Sequence, residues 1–334
     1  MPVTLKKIAS ELNMSTSLIS QVLNGKATQS RIKKETEILV LEKVKELGYV
    51  SNKIARGLRT KKSNNIALLT PDLANPFFAK ITKIVQNELH KRGYNLMVLE
   101  SNDETSKEIE EIKLLHSNGI DGMLIIPVGD EFEHIENLAN ENYPLVLLYR
   151  TFNNVEVNSV TVCHYVNMHT LVSSLIKSGH SRIGLLQGKD IRFANLERLR
   201  GYKEAFKENN IEFVDEYINK TGFEREDGYE GAKRLLELKI PPTALITTSD
   251  ALTLSTLQVI KEKNLKIPDD IVFNATNCLH IDRSMFVPIS TLSHPVEELG
   301  KTAVSTLIDN IELKEQKRNV NIILKSKVNI NKSN

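Results

Sequence analysis

From about Ser63 onward the apolar positions fall in short continuous runs, IALLTP, LMVLE, GMLIIP, LVLLY, SVTV, IGLLQG, ALITTS and IVFNAT, which alternate with helical stretches. Runs of this kind alternating with helices predict a parallel α/β architecture. Ahead of that point the spacing is helical only. LKKIASEL places Leu5, Ile8, Ala9 and Leu12 on one face, with Thr4 as a cap. After the tight turn NMS, the stretch MSTSLISQVLN gathers Leu18, Ile19, Val22 and Leu23 on one face, with Ser15 as its cap. The loop NGKATQS follows, where Gly25 suits a left-handed stop. A third helix is predicted through Ile38, Leu41, Val44 and Leu47, ended by Gly48.

The second helix carries Thr16, Ser17, Ser20 and Gln21 opposite its apolar face, a small, uncharged, hydrogen-bonding surface where a solvated helix usually carries Lys and Glu. Charge changes the picture. Residues 1–62 hold thirteen Lys or Arg against five acids, so a head of +8 precedes a body of −6 in a chain of net +2. A basic head suggests a polyanionic partner, although a merely solvated basic terminus has the same composition. Helix, short turn, helix is the helix-turn-helix pattern, whose second helix enters the major groove and brings short side chains close to base edges. Gln21 can then pair with adenine N6 and N7 through its amide. The competing reading is an ordinary three-helix interaction module.

Composition adds bounds. The chain has 334 residues, 40% hydrophobic and 26% charged, which suits two or three domains. Aromatics are 5% and Trp is absent, so the core must be aliphatic. Two cysteines, Cys163 and Cys278, form no disulfide framework. The opening MPVTLKKIASELN holds no apolar run fit for a signal peptide or membrane span, and the expectation is a cytoplasmic protein without a membrane partner. There is no Gly-x-Gly-x-x-Gly after a strand, no phosphate loop and no Gly-x-Ser-x-Gly elbow, and the eight His are scattered, so neither catalysis nor a cofactor is expected.

VTLKKIASELNMSTSLISQVLNGK and LEKVKELGYVSNKIARGLRTKKSNNIALLTPDLANPFF resemble the LacI/GalR (lactose/galactose-repressor) family of bacterial transcription regulators. The resemblance runs on through SLIKSGHSRIGLLQG, ERLRGYKEAF and IPDDIVFNATN to TLSHPVEELGKTAVSTLID. It implies an N-terminal all-α helix-turn-helix domain (1–50), a hinge (51–62) and an α/β periplasmic-binding-protein-like core (63–330) of two parallel-sheet subdomains. The first would comprise 63–159 and 291–318, the second 160–290 and 319–330, with an effector cleft between them at the strand carboxyl ends. In the head, Thr4, Ser15, Thr16, Ser17, Ser20, Gln21 and Asn24 are the implied contacts to double-stranded operator DNA. Thr16 and Ser17 stand where half-sites are usually discriminated. The family often has Thr at Leu18 and Arg at Gln21, so Gln21 shifts the expected preference toward adenine.

The hinge NKIARGLR matches at Asn52, Ala55, Arg56 and Leu58, implying a short helix that forms on DNA, with Leu58 and its partner's equivalent wedged into the minor groove. Gly57 weakens such a helix by about 1 kcal/mol, and a segment this short is not stable alone; without the resemblance it reads as a charged linker. The family acts as a homodimer, and repression is its default. KVNINKSN has no leucine heptad, which argues against a tetramerising coiled coil. A secreted solute-binding protein shares the body fold but not the basic head.

In the cleft, Asn75, Phe77 and Phe78 of NPFF are implied to line one wall, Arg198 to grip ligand oxygens, and Asp250 to stand at the cleft with Thr276. The Phe pair also reads as core, and Asp250 as a helix cap. The chain departs from the family elsewhere. Asn274, Ala275, Thr276 and Asn277 stand where Gly-aromatic-Asp-Asp is usual, Cys163-His164 replaces Asp-Asn, Asn167 replaces Gly, and Thr253 and Ser255 replace small residues. Buried charge-assisted bonds of about 1.5–3 kcal/mol each are thereby lost, which argues against an unmodified hexose or pentose. A different small-molecule effector, a protein corepressor and no effector at all remain open. Cys163, His164, Cys278 and His280 also raise a soft-metal or redox reading without any recognised metal spacing, and no metal is expected.

Overall fold

The computed structural model describes residues 3–49, 62–152, 155–188, 193–220, 222–276, 289–312 and 319–329, and the chain divides into two compact units, 1–63 and 64–334. The hinge residues Asn52, Ala55, Arg56 and Leu58, together with Cys278 and His280, lie outside the described residues.

In the first unit, helix α1 spans Leu5–Glu11 and is capped by Thr4, whose Oγ1 accepts from the Lys7 amide at 3.3 Å. Helix α2 spans Thr16–Leu23, with Ser15 Oγ accepting from the Leu18 amide at 3.1 Å. Helix α3 spans Lys34–Glu46 and ends before Gly48 at φ +59°, with Glu35 and Glu37 in its first turn and Lys43 and Lys45 in its last, as the helix dipole favours. The three close on Ile8, Ala9, Ile19, Val22, Ala27 and Val40. The expected inward face of α3 needs correction. Ile38 and Leu41 are 47% and 46% exposed, whereas Val40 is fully buried with Val44 and Leu47 packed beside it. Four consecutive apolar residues, Ile38 to Leu41, satisfy two helical stripes at once, and packing selects the i, i+4, i+7 stripe from Val40.

The second unit is built on two six-stranded sheets. The first contains β1 (Asn65–Thr70), β2 (Asn95–Glu100), β3 (Gly122–Ile125), β4 (Leu145–Tyr149), β5 (Ser159–Val162) and β11 (Asn321–Leu324), in the order β11-β5-β4-β3-β1-β2 with every pairing parallel. Helices α4 (Pro76–Lys91), α5 (Thr105–Ser117), α6 (Glu133–Asn140) and α11 (Val296–Glu312) cover it. Ile66 and Leu68 face one helix layer while Ala67 and Leu69 face the other, which is why β1 reads as an unbroken apolar run. The second sheet contains β6 (Ile183–Leu186), β7 (Ile218–Asn219), β8 (Ala244–Thr247), β9 (Val272–Thr276), β10 (Ser290–Ser293) and an antiparallel β12 (Lys327–Asn329), in the order β12-β10-β9-β8-β6-β7. It packs against α7 (His164–Lys177), α8 (Phe193–Glu208), α9 (Arg225–Leu236) and α10 (Asp250–Glu262).

The chain passes between the sheets after β5, after β10 and after β11. The subdomain limits expected at 159/160, 290/291 and 318/319 therefore move. β5 lies wholly in the first sheet, β10 wholly in the second, and β11 pairs with β5 in the first through Asn321 and Ser159. Each strand stays paired to its carboxyl end, so the chain crosses only beyond it.

Candidate DNA-reading helix and effector cleft

Helix α2 buries Ile19 and Val22 against α1 and α3, and this packing fixes which residues face outward. Thr16 and Ser17 are exposed and Gln21 is half-buried, and none of their three side chains has a hydrogen-bond partner among the described residues. The other head candidates are already engaged. Thr4 and Ser15 spend a lone pair on their caps, and Asn24 Nδ2 donates to the Ser20 carbonyl at 2.6 Å and to Ser20 Oγ at 3.2 Å. That last bond ties down the carboxyl end of the helix.

In the second unit a cavity of about 420 Å³ opens between the subdomains, within the range of small-molecule sites. Asn75, Phe77, Phe78, Arg198 and Asp250 all line it. Asn75 caps α4, its Oδ1 accepting from the Phe77 amide at 3.0 Å, and Asp72 Oδ1 holds the preceding turn through the Ala74 amide at 2.7 Å. Phe77 and Phe78 are nearly fully buried and reach the cavity by one edge, so core and lining are the same residues here. Asp250 does not cap α10: Ser249 does, its Oγ accepting from the Leu252 amide, and Asp250 is the first helical residue, buried at the cavity wall. Thr276 ends β9, buried, and is not part of this lining. Thr253 and Ser255 also fall outside it, bonded within α10 and to Thr247 of β8.

Cys163 and His164 do not share the cleft as expected. Cys163 lines a separate groove with Phe152, Thr161 and Ile323, and no group of three metal-capable side chains exists among the described residues. His164 lines that same groove, and its buried ring also packs against Tyr149 and His294.

Tyr149, Arg150 and His294 carry much of the geometry without being singled out from the sequence, and His164, which the sequence offers only a metal or redox role, joins them. Tyr149 ends β4 at φ +67°, and the Arg150 amide donates to the Leu148 carbonyl at 2.7 Å, closing a three-residue turn around it. A left-handed aromatic residue in so tight a turn stores about 1–3 kcal/mol, and such strain gathers at ligand clamps and switch regions. The turn aims the Tyr149 ring at Phe77, centroids 4.5 Å apart, and its phenol at Arg198 Nη2, which donates at 2.9 Å. Arg198 Nη1 donates to Asn195 Oδ1 at 2.9 Å. Arg150 lies over the Phe78 ring and donates to the Pro127 carbonyl and Asp103. The detectable signal was a polar pair at the carboxyl end of an apolar run, LVLLYR, where parallel sheets place their sites.

All three crossings meet beside Tyr149. His164, just past β5, has Nε2 at 3.3 Å from the Tyr149 carbonyl; His294, just past β10, has Nδ1 at 2.6 Å from Oγ of Ser326, just past β11. Asn167 Nδ2 also donates to Ser326 Oγ, at 2.9 Å, so the position where the family has glycine serves this joint. The carbonyl requires His164 to carry its proton on Nε2. Ser326, accepting from Asn167, has its own proton for His294 Nδ1, which leaves the second proton position on Nε2. Both imidazoles stay neutral: burial, reinforced by the Arg198 charge, pushes His164 well below the usual range and His294 down to about 3.

Residues 63–331 match the family described as periplasmic binding proteins and sugar binding domain of the LacI family. The chain is 30% identical to the ribose operon repressor of Haemophilus influenzae over 309 residues, covering 92% of each protein. It is 26% identical to catabolite control protein A of Priestia megaterium over 308 residues, again 92% of each. Among solved structures, the lac repressor dimer bound to operator and the anti-inducer ONPF superposes with a TM-score of 0.88 at 22% identity, over 98% of both chains, a likeness of fold.

Proposed function

The chain belongs to the LacI family, and from that premise we propose that it is a sequence-specific transcriptional repressor that binds a near-palindromic operator as a homodimer. The observation that carries the reading is the face of α2. Thr16, Ser17 and Gln21 stand on a capped, well-packed helix of a basic unit with their polar groups unspent. Bases read in the major groove need donors and acceptors that are presented without internal competition. Thr4, Ser15, Ser20 and Asn24 flank that face and position it, and Asn52, Ala55, Arg56 and Leu58 supply the minor-groove wedge implied by the hinge motif.

The cleft is the effector site, with Asn75, Phe77, Phe78, Arg198 and Asp250 on its walls. Occupancy there biases DNA affinity by a coupling of about 1–3 kcal/mol, the usual size for such linkage. Its occupant is a small molecule other than an unmodified hexose or pentose, because the strand end at Asn274–Thr276 offers no carboxylate. Thus the relative named as a ribose operon repressor does not fix the ligand here.

The test is selection of random DNA duplexes by the full-length protein at fixed salt, since affinity falls steeply with ionic strength. The expected product is a near-palindrome with a flexible central step, and Gln21→Ala relaxes one base position per half-site by about 1–3 kcal/mol of discrimination. Failure to enrich any motif refutes sequence-specific reading by α2.

A further inference from the structure

Tyr149 belongs to the first subdomain, yet two of its polar groups are bonded to the second. Its carbonyl meets Nε2 of His164, at the start of α7, and its phenol accepts from Nη2 of Arg198, on α8, at 2.9 Å. Arg198 is buried and its other hydrogen bond stays within its own helix, to Asn195. Among the described residues, the Tyr149 phenol is the one acceptor that the first subdomain offers this guanidinium. Both side chains line the cleft, so the bond spans its floor. It is also well braced. The ring is held by Phe77 at 4.5 Å, His164 at 5.1 Å, His294 at 5.6 Å and Phe78 at 6.3 Å, and the left-handed turn at φ +67° fixes where the phenol points.

We propose that Tyr149 is a latch across the cleft: its phenol occupies the Arg198 N–H that a ligand oxygen would take and, with no ligand bound, holds the two subdomains at one separation. A buried guanidinium lacking a carboxylate gains from any oxygen it can reach. Here the Tyr149 phenol supplies that oxygen. An effector that grips Arg198 must then fit beside the phenol or displace it, which makes Tyr149 a positioning residue and a filter on ligand size. The inference rests on the reading of the cleft as the effector site.

The experiment measures the distance across the mouth of the cleft in full-length protein without DNA or ligand. Spin labels are placed at Ala74→Cys and Arg225→Cys, two exposed positions on opposite subdomains, in a background with Cys163→Ser and Cys278→Ser. The latched protein shows a single distance population. Tyr149→Phe keeps the ring among its neighbours and removes only the hydroxyl; the expected result is a second, longer population. Arg198→Met should produce the same second population, and the double variant no more than either single one, because both remove one bond. A Tyr149→Phe distribution identical to the parent overturns the latch, as does a double variant whose effects add. This readout uses no operator, so a protein that selects no DNA but loses its latch refutes the DNA-binding reading alone.

Discussion

Removing the titration of His294 tests the joint where the three crossings meet. Burial and the neighbouring Arg198 charge hold this imidazole at about 3 in the folded protein, against about 6.5 in an unfolded chain. Between those values the unfolded state binds more protons, so stability is complete above about pH 6.5 and falls as the pH drops through the window. The gap corresponds to about 5 kcal/mol in all, of which about 2 kcal/mol is lost by pH 5. His164 is shifted in the same direction by the same causes and steepens the fall. His294→Gln keeps a side chain able to bond Ser326 Oγ but has nothing to titrate. Urea unfolding of the full-length protein at pH 7.5 and pH 5 is the assay. The parent should lose about 2 kcal/mol more than the variant over that interval, whatever the variant's stability at pH 7.5. Parallel losses would mean that His294 is not held neutral by its surroundings.

Two core substitutions follow from the packing. At Gly201 a Cβ would sit 2.3 Å from the Tyr165 carbonyl and 3.1 Å from the His169 amide, both backbone atoms of α7. Gly201→Ala must therefore push α8 off α7, lowering the urea midpoint by the equivalent of about 1–3 kcal/mol. In the head, Val40→Ala opens a cavity under α3 and destabilises that unit by about 1–2 kcal/mol, whereas Ile38→Ala, on the exposed stripe, changes it by less than about 0.5 kcal/mol; hydrogen exchange of the α1 and α2 amides in the full chain reads both.

How much of this was legible in the sequence depends on how locally each feature is determined. The caps Thr4 and Ser15, the stops at Gly25 and Gly48, and the eight apolar runs that became strands are set by a residue and its near neighbours, and all were readable. Short strands were harder. β7, β10, β11 and β12 are two to four residues long, and β11, NIIL, is an edge strand whose Ile323 is 62% exposed, so no buried run announces it. The subdomain limits implied by the resemblance place β11 with the second subdomain, whereas its pairing with β5 assigns it to the first. The α3 face failed for the opposite reason, an excess of apolar residues. In the cleft, the resemblance located Phe77, Phe78, Arg198 and Asp250 but said nothing of Tyr149, because the left-handed turn that aims it depends on tertiary packing.

The joint explains where movement between the subdomains can occur. Each sheet is covered on both faces by helices and buries its central strands almost completely, so neither sheet can bend without opening close-packed core. The segments that leave the sheets are different: they carry His164, His294 and Ser326, residues far apart in the chain that meet only through topology. Hydrogen bonds between neutral groups can be exchanged for others at a cost of about 0.5–1.5 kcal/mol each. A buried ion pair in the same place would resist separation far more strongly. Keeping both imidazoles neutral beside Arg198 therefore leaves the joint weak enough to rearrange and well enough satisfied to be specific. The fixed charge of Arg198 stays at the cleft, where the Tyr149 phenol or a ligand oxygen can compete for it.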